Sequence, residues 1–209
     1  MDTPVPLPFS STRAYLLEAR YEFLRLLRTP SFSLPCLLFP PVFYLLFGVL
    51  LGGKGGPVAA QYLLAGYGVF GVIGVALFGF GVTVALDREQ GLLTLKRAQP
   101  MPPGAYLVAK MAMALLFAAI ILLLLAALAA GVAHVRLSAA QWGAWAATCL
   151  IGVLPFSALG LWLGTLVGGR GAPALINLVY LPMAFLSGLW VPLTMLPKLL
   201  QTLAPAWPA

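Results

Sequence analysis

Five stretches of this chain, about 31–52, 59–86, 111–133, 142–168 and 172–191, are predominantly apolar over 20 residues or more. A helix needs roughly 20 such residues to cross the hydrocarbon core of a bilayer. Five of them in 209 residues leave little chain for anything else, so these runs decide the fold. A soluble domain carries about 25% charged residues. This chain carries 8%, against 62% hydrophobic, and cannot bury its apolar surface in a water-facing fold. No alternating pattern of barrel strands is present, so the spans are expected to be helical, each closing its own backbone hydrogen bonds. Pro35, Pro40 and Pro41 lie in the first run, Pro155 in the fourth and Pro182 in the fifth. Neighbouring helices can satisfy the carbonyls a proline frees, so kinks rather than breaks are expected.

Charge sets the orientation. Arg13, Arg20, Arg25 and Arg28 precede the first span, Arg88, Lys96, Arg97 and Lys110 follow the second, and Arg170 follows the fourth. Lys54, Arg136 and Lys198 fall on the other side. The positive-inside rule then puts the N-terminus and the 87–110 loop in the cytoplasm, in a multi-pass protein of the cytoplasmic (inner) membrane. The net charge of +7 comes from juxtamembrane residues and argues against a nucleic-acid partner. Cys36 and Cys149 sit inside apolar runs without metal-ligand spacing and read as small buried hydrophobes. No cleavable signal peptide is evident, so the spans themselves are expected to anchor the chain.

Before the first span, STRAYLLEARYEFLRLLR places Leu16, Leu17, Tyr21, Phe23, Leu24 and Leu27 at helical spacing among Arg and Glu. This predicts an amphipathic helix over 10–28 at the membrane interface, in contact with lipid. Glu18 and Glu22 can reach Arg25 on that helix or basic groups on a partner. The second span carries Gly66, Gly68, Gly71, Gly74, Gly79 and Gly81, and the fourth carries Gly160, Gly164 and Gly168. Small residues at this spacing let helix backbones approach closely, within one chain or at a subunit interface.

The chemistry of the spans is sparse. The central portions hold no ionisable residue, and Lys110 and His134 lie near opposite ends of the third span. An ion-coupled carrier would keep a carboxylate or its equivalent there. Phe185–Gly188 (FLSG) lacks the preceding glycine of a rhomboid-type serine protease, and metal-ligand clusters are missing, so no catalytic or metal residue is assigned. GGKGG at 52–56 lacks the spacing and the Ser/Thr of a phosphate-cradling loop. Energy, if used, must arrive from a partner, and the charged loop LDREQGLLTLKRAQPMPPGAYLVAK at 86–110 is the natural receiver.

That loop resembles the segment between the second and third spans of ABC-2 type permeases, the membrane subunits of ATP-binding-cassette exporters such as the daunorubicin-type drug exporters. The match runs through Glu89, Gly91, Leu92, Leu95, Lys96, Arg97, Pro100 and Lys110. INLVYLPMAFLSGLWVPLTMLPKLLQTLAP resembles a second family signature through Asn177, Pro182, Phe185, Leu186, Ser187, Gly188, Pro192 and Pro197. The resemblance covers essentially the whole chain and implies one transmembrane domain over 1–209, an elbow helix at 10–28 and a coupling loop at 87–104. It also implies a sixth span, beginning just after a Pro-aromatic segment like LAPAWPA, where this sequence stops. The chain is therefore expected to be a permease lacking that helix, or a fragment.

By the same resemblance the loop docks on a separate ATPase subunit through Asp87, Arg88, Glu89, Gly91, Leu92, Leu95, Lys96 and Arg97. ATP and Mg would be bound by that subunit and none by this chain. A second permease copy, identical or related, would complete the pathway for efflux of a hydrophobic, drug-like or lipid-like substrate, multidrug export included. Phe70, Phe78, Asn177, Tyr180, Phe185 and Ser187 are candidates to line the path. The alternatives are an ATP-independent membrane scaffold and a non-transporting permease fragment.

Overall fold

Lipid offers backbone amides no water to bond, and the chain answers with helices throughout. The computed structural model describes residues 10–50, 56–99, 101–102 and 104–189, and among these there is no strand. Helix α1 (Ser11–Leu27) opens with Ser10 as N-cap, its hydroxyl accepting from the Arg13 amide. After a turn at Arg28–Thr29, α2 (Pro30–Phe43) starts on a proline at its first position, where no amide is missed. It runs unbroken through Pro35, Pro40 and Pro41 and passes into a π-helical segment, Tyr44–Leu50. Helices α3 (Gly56–Gly74) and α4 (Thr83–Glu89) are joined without a gap by a second π-helical segment, Val75–Val82, into one long rod.

The short α5 (Leu92–Ala98) follows, then α6 (Ala105–Gly131), α7 (Ala139–Leu166) and α8 (Ala172–Leu186). A full capping box starts α7, with Ser138 and Gln141 each bonding the other's backbone amide. Four helical runs, Pro30–Leu50, Val58–Glu89, Ala105–Gly131 and Ala139–Leu166, are long and apolar enough to cross a membrane. The fifth expected span appears as α8, 15 residues in its described extent, and 190–191 lie outside the described residues. The third span begins at Ala105 rather than 111, because Gly104 and Pro102 start the helix earlier than hydropathy alone suggests. That shift places Tyr106 and Lys110 inside the helix.

The rod from α3 to α4 is the core. It is buried over most of its length, while α2 and α7 each turn much of their surface outward. Its glycines make this possible. A Cβ on Gly81 would come within 2.5 Å of the Gly160 carbonyl oxygen, and one on Gly164 would collide with the Gly81 carbonyl oxygen. The small-residue spacing thus serves packing inside one chain, π segment against α7. Helix α6 closes the other side with an inward stripe through Met113, Phe117, Ile121 and Leu125, and α1 lies along α6 with Phe23 against Phe117, ring centroids 5.2 Å apart.

Candidate functional site

The charged loop is built around the last turn of the rod. Helix α4 ends at Glu89, and Gly91 adopts a left-handed backbone (φ 72°) that turns the chain into α5. Any other residue would be strained in that conformation. The three charged residues that end α4 then diverge. Asp87 points inward, 3% exposed. Its carboxylate accepts from Arg25 on α1 at 3.0 Å and from the Tyr106 hydroxyl on α6 at 2.8 Å. It also lies 2.9 Å from the Lys110 ammonium. Lys110, with no exposed surface, reaches the Glu22 carboxylate of α1 at 2.5 Å and donates to the Thr83 hydroxyl at 2.7 Å. Arg25 closes the ring by donating to Glu22 at 2.9 Å. Two acids and two bases from α1, α4 and α6 thus balance in one cluster, with Glu22, Asp87 and Lys110 buried and Arg25 covering them from the exposed side.

Arg88 turns the other way. Its guanidinium donates to the Thr165 and Val167 carbonyls, both at 2.8 Å, and so caps the C-terminus of α7. Glu89 accepts from the Arg170 amide at 3.4 Å in the turn between α7 and α8. One turn of α4 is therefore bonded to α1, α6, α7 and the turn between α7 and α8.

Helix α5 hangs below this junction. None of its residues is buried, and Leu95 is 61% exposed, with Arg97 also turned outward. Leu92 is half-buried. Lys96 is drawn back to α1, where it pairs with Glu18, and sits 5.1 Å above the Tyr106 ring. Burial pushes the Lys96 ammonium below its ordinary pKa, and the charge of Lys110 adds to this. Burial also works against the Arg25 guanidinium, but its bond to Asp87 and the charges of Glu22 and Asp87 outweigh that and raise its pKa. Of the eight residues expected to meet an ATPase, Leu95 and Arg97 are exposed and Leu92 is half-buried, Gly91 shapes the turn, and Asp87, Arg88, Glu89 and Lys96 bond inward.

Sequence reasoning set Glu22 within reach of Arg25, a pair the structure contains, but gave Thr83, Tyr106 and Lys110 no place beside them. A signal was available. Tyr15, Glu18, Glu22 and Leu26 share one face of α1, opposite the leucine stripe, and an acid on the inward face of a membrane-bound helix calls for a buried cation.

A second feature lies along the rod. A cavity of about 430 Å³ opens between α2, the rod and α8, walled by Phe39, Phe43, Phe70, Phe78, Asn177 and Tyr180 among others. The Tyr180 ring stacks on Phe70 at 5.1 Å and meets Phe78 edge-on at 5.7 Å, and its hydroxyl donates to the Phe70 carbonyl at 2.9 Å. Four of the six expected path residues line this space. Phe185 is exposed outside it, and the Ser187 hydroxyl donates back to Met183 of its own helix at 2.7 Å.

The family model of the ABC-2 type transporter matches residues 14–209. This chain belongs to the ABC-2 type transporter family. A Bacillus subtilis (strain 168) protein described as "Putative transport permease YvfS" is 28% identical over 187 residues, covering 87% of this chain and 75% of that protein. No solved structure gives a significant match. As an ABC-2 family member the chain is the membrane subunit of a transporter, and such permeases normally work with an ATPase subunit.

Proposed function

We propose that the chain is the permease subunit of an ATP-driven exporter for hydrophobic or amphiphilic cargo in the cytoplasmic membrane, with its N-terminus and the 87–110 loop on the ATPase side. The observation that carries this reading is the buried cluster of Glu22, Arg25, Asp87 and Lys110 directly behind α5. An exposed apolar knob, Leu95, stands on a short helix whose base is bonded to three other helices and to the turn before α8. A push on α5 is delivered to the helices as a unit rather than absorbed by a loop. ATP and Mg stay on the partner, two permease chains form the pathway, and the aromatic cavity beside Tyr180 receives cargo.

Docking of Leu95 in a groove contributes about 1.5–3 kcal/mol, more than a rim ion pair at about 0–1 kcal/mol. Leu95→Asp should therefore cut co-purification of the ATPase at least tenfold, with membrane abundance unchanged because Leu95 is 61% exposed and lies outside the spans. Arg97→Ala should cost several-fold less. Retention of the ATPase and of transport by Leu95→Asp would remove α5 as the receiver.

A further inference from the structure

Apart from Arg25, the ionic residues of α1 are sorted by sign. Its acids face inward, Glu18 to Lys96 and Glu22 to Lys110 and Arg25. Arg13, Arg20 and Arg28 face outward, and none of them has an ion-pair or hydrogen-bond partner through its side chain among the described residues. They share their face with exposed Leu16, Leu17 and Leu27, at 67%, 37% and 39%, since positions 13, 16, 17, 20, 24, 27 and 28 form one helical stripe. A soluble helix would be turned the other way, leucines in and acids out.

We infer that this outward stripe is a binding surface for the acidic phospholipid headgroups of one membrane leaflet. Leucines enter the boundary between headgroups and acyl chains, and guanidiniums about two turns apart meet phosphates. With every acid of the helix committed inward, nothing on that face repels an anion. Zwitterionic lipid satisfies the leucines but leaves three cations without counter-charge. The surface does not depend on the transport reading. Because the opposite face of α1 holds Lys96 and Lys110, the lipid on one side and the charged cluster on the other are joined through a single helix.

The experiment uses the full chain in nanodiscs of equimolar phosphatidylcholine and phosphatidylglycerol, released into native mass spectrometry to count retained lipids of each kind. One basic residue near an anionic surface contributes about a fivefold preference. The wild-type chain should retain phosphatidylglycerol in clear excess. The triple variant R13Q/R20Q/R28Q should lose that preference by tenfold or more, high salt should weaken it, and R13K/R20K/R28K should keep most of it. Arg136→Gln, in the segment between α6 and α7, should change nothing. Equal retention of the two lipids by the wild-type chain, or an unchanged preference in the glutamine variant, overturns the proposal. Loss in the lysine variant as well would make the effect structural rather than electrostatic and would also overturn it. Displacement of the acidic lipid by a bound ATPase subunit would assign this face to protein instead.

Discussion

Replacing Lys110 with methionine isolates what the buried cluster is worth. Methionine keeps the length and flexibility of the side chain, so packing is held and the charge removed. The ammonium lies 2.5 Å from Glu22 and 2.9 Å from Asp87, with no exposed surface of its own. At an effective dielectric of about 20, each attraction is about 6 kcal/mol before solvation is counted, and desolvating the ions takes back several kcal/mol apiece. The measurable loss is that of a buried pair stripped of one partner, about 3–5 kcal/mol. Two carboxylates would then share Arg25 alone, whose side chain is 40% exposed and correspondingly screened. Lys110→Met should therefore release α1, read as a large rise in trypsin cleavage at Arg20 and Arg25 and a lower melting temperature in nanodiscs. Adding Asp87→Asn restores the balance of one acid to one base and should recover about half the loss. If the single variant melts like the wild type with α1 still protected, the cluster does not hold α1. If the two losses simply add, the charges act independently and the reasoning fails.

Gly164→Leu should destabilise the chain by about 1–3 kcal/mol, toward the upper end because the obstacle is the Gly81 backbone. Gly152→Leu, where a Cβ meets nothing, should stay within about 0.5 kcal/mol in the same melt. Arg88→Ala should uncap α7 at a cost of about 0.3–1 kcal/mol, seen as faster amide exchange in the last turn of α7 and unchanged exchange in its first. For topology, single cysteines at Gln99 and Ser138 in a variant lacking Cys36 and Cys149 should label from opposite faces. Labelling of both from one face would refute the crossing of α6, and labelling of Gln99 from outside would reverse the orientation argued from the basic residues.

Hydropathy found the spans because lipid solvation is a property of whole segments, and summing over 20 residues averages out local noise. The small-residue spacing of Gly160 and Gly164 also translated directly into backbone contact, since that signal is steric and local. The interior charges were harder. Asp87, Arg88 and Glu89 look alike as a string, yet successive residues on a helix point about 100° apart, so Asp87 meets α1 and α6, Arg88 meets α7, and Glu89 meets the turn before α8. Lys110 read as a residue at a span's edge because the count began at Met111. Only the docking of α1 over α6 gives it a buried environment. That docking depends on aromatic contacts such as Phe23 with Phe117, between residues too far apart in sequence for any local pattern to reveal. The cavity beside Tyr180 was legible only as a preference for aromatics in two spans, without a way to choose the ones that converge.

The wide turn at Val75–Val82 sets a phase. Above it, Phe70 and Gly74 look toward the cavity, and below it Thr83 and Asp87 look toward the charged cluster. In a π segment each amide reaches one residue further back than in an α-helix, so the helix carries residues there that add to the count without adding their full share of rotation. Deleting a single residue between 75 and 82 would let the α pattern close there with the two halves keeping nearly the same facing, because the residue lost is one the wide turn had absorbed. The same deletion in the regular α-helix above it would swing the lower half by about 100° and bring Leu86 or Arg88 round toward Lys110 in place of Asp87. The π segment is thus a stretch of the rod where a change of length is taken up without turning its aromatic end against its charged end.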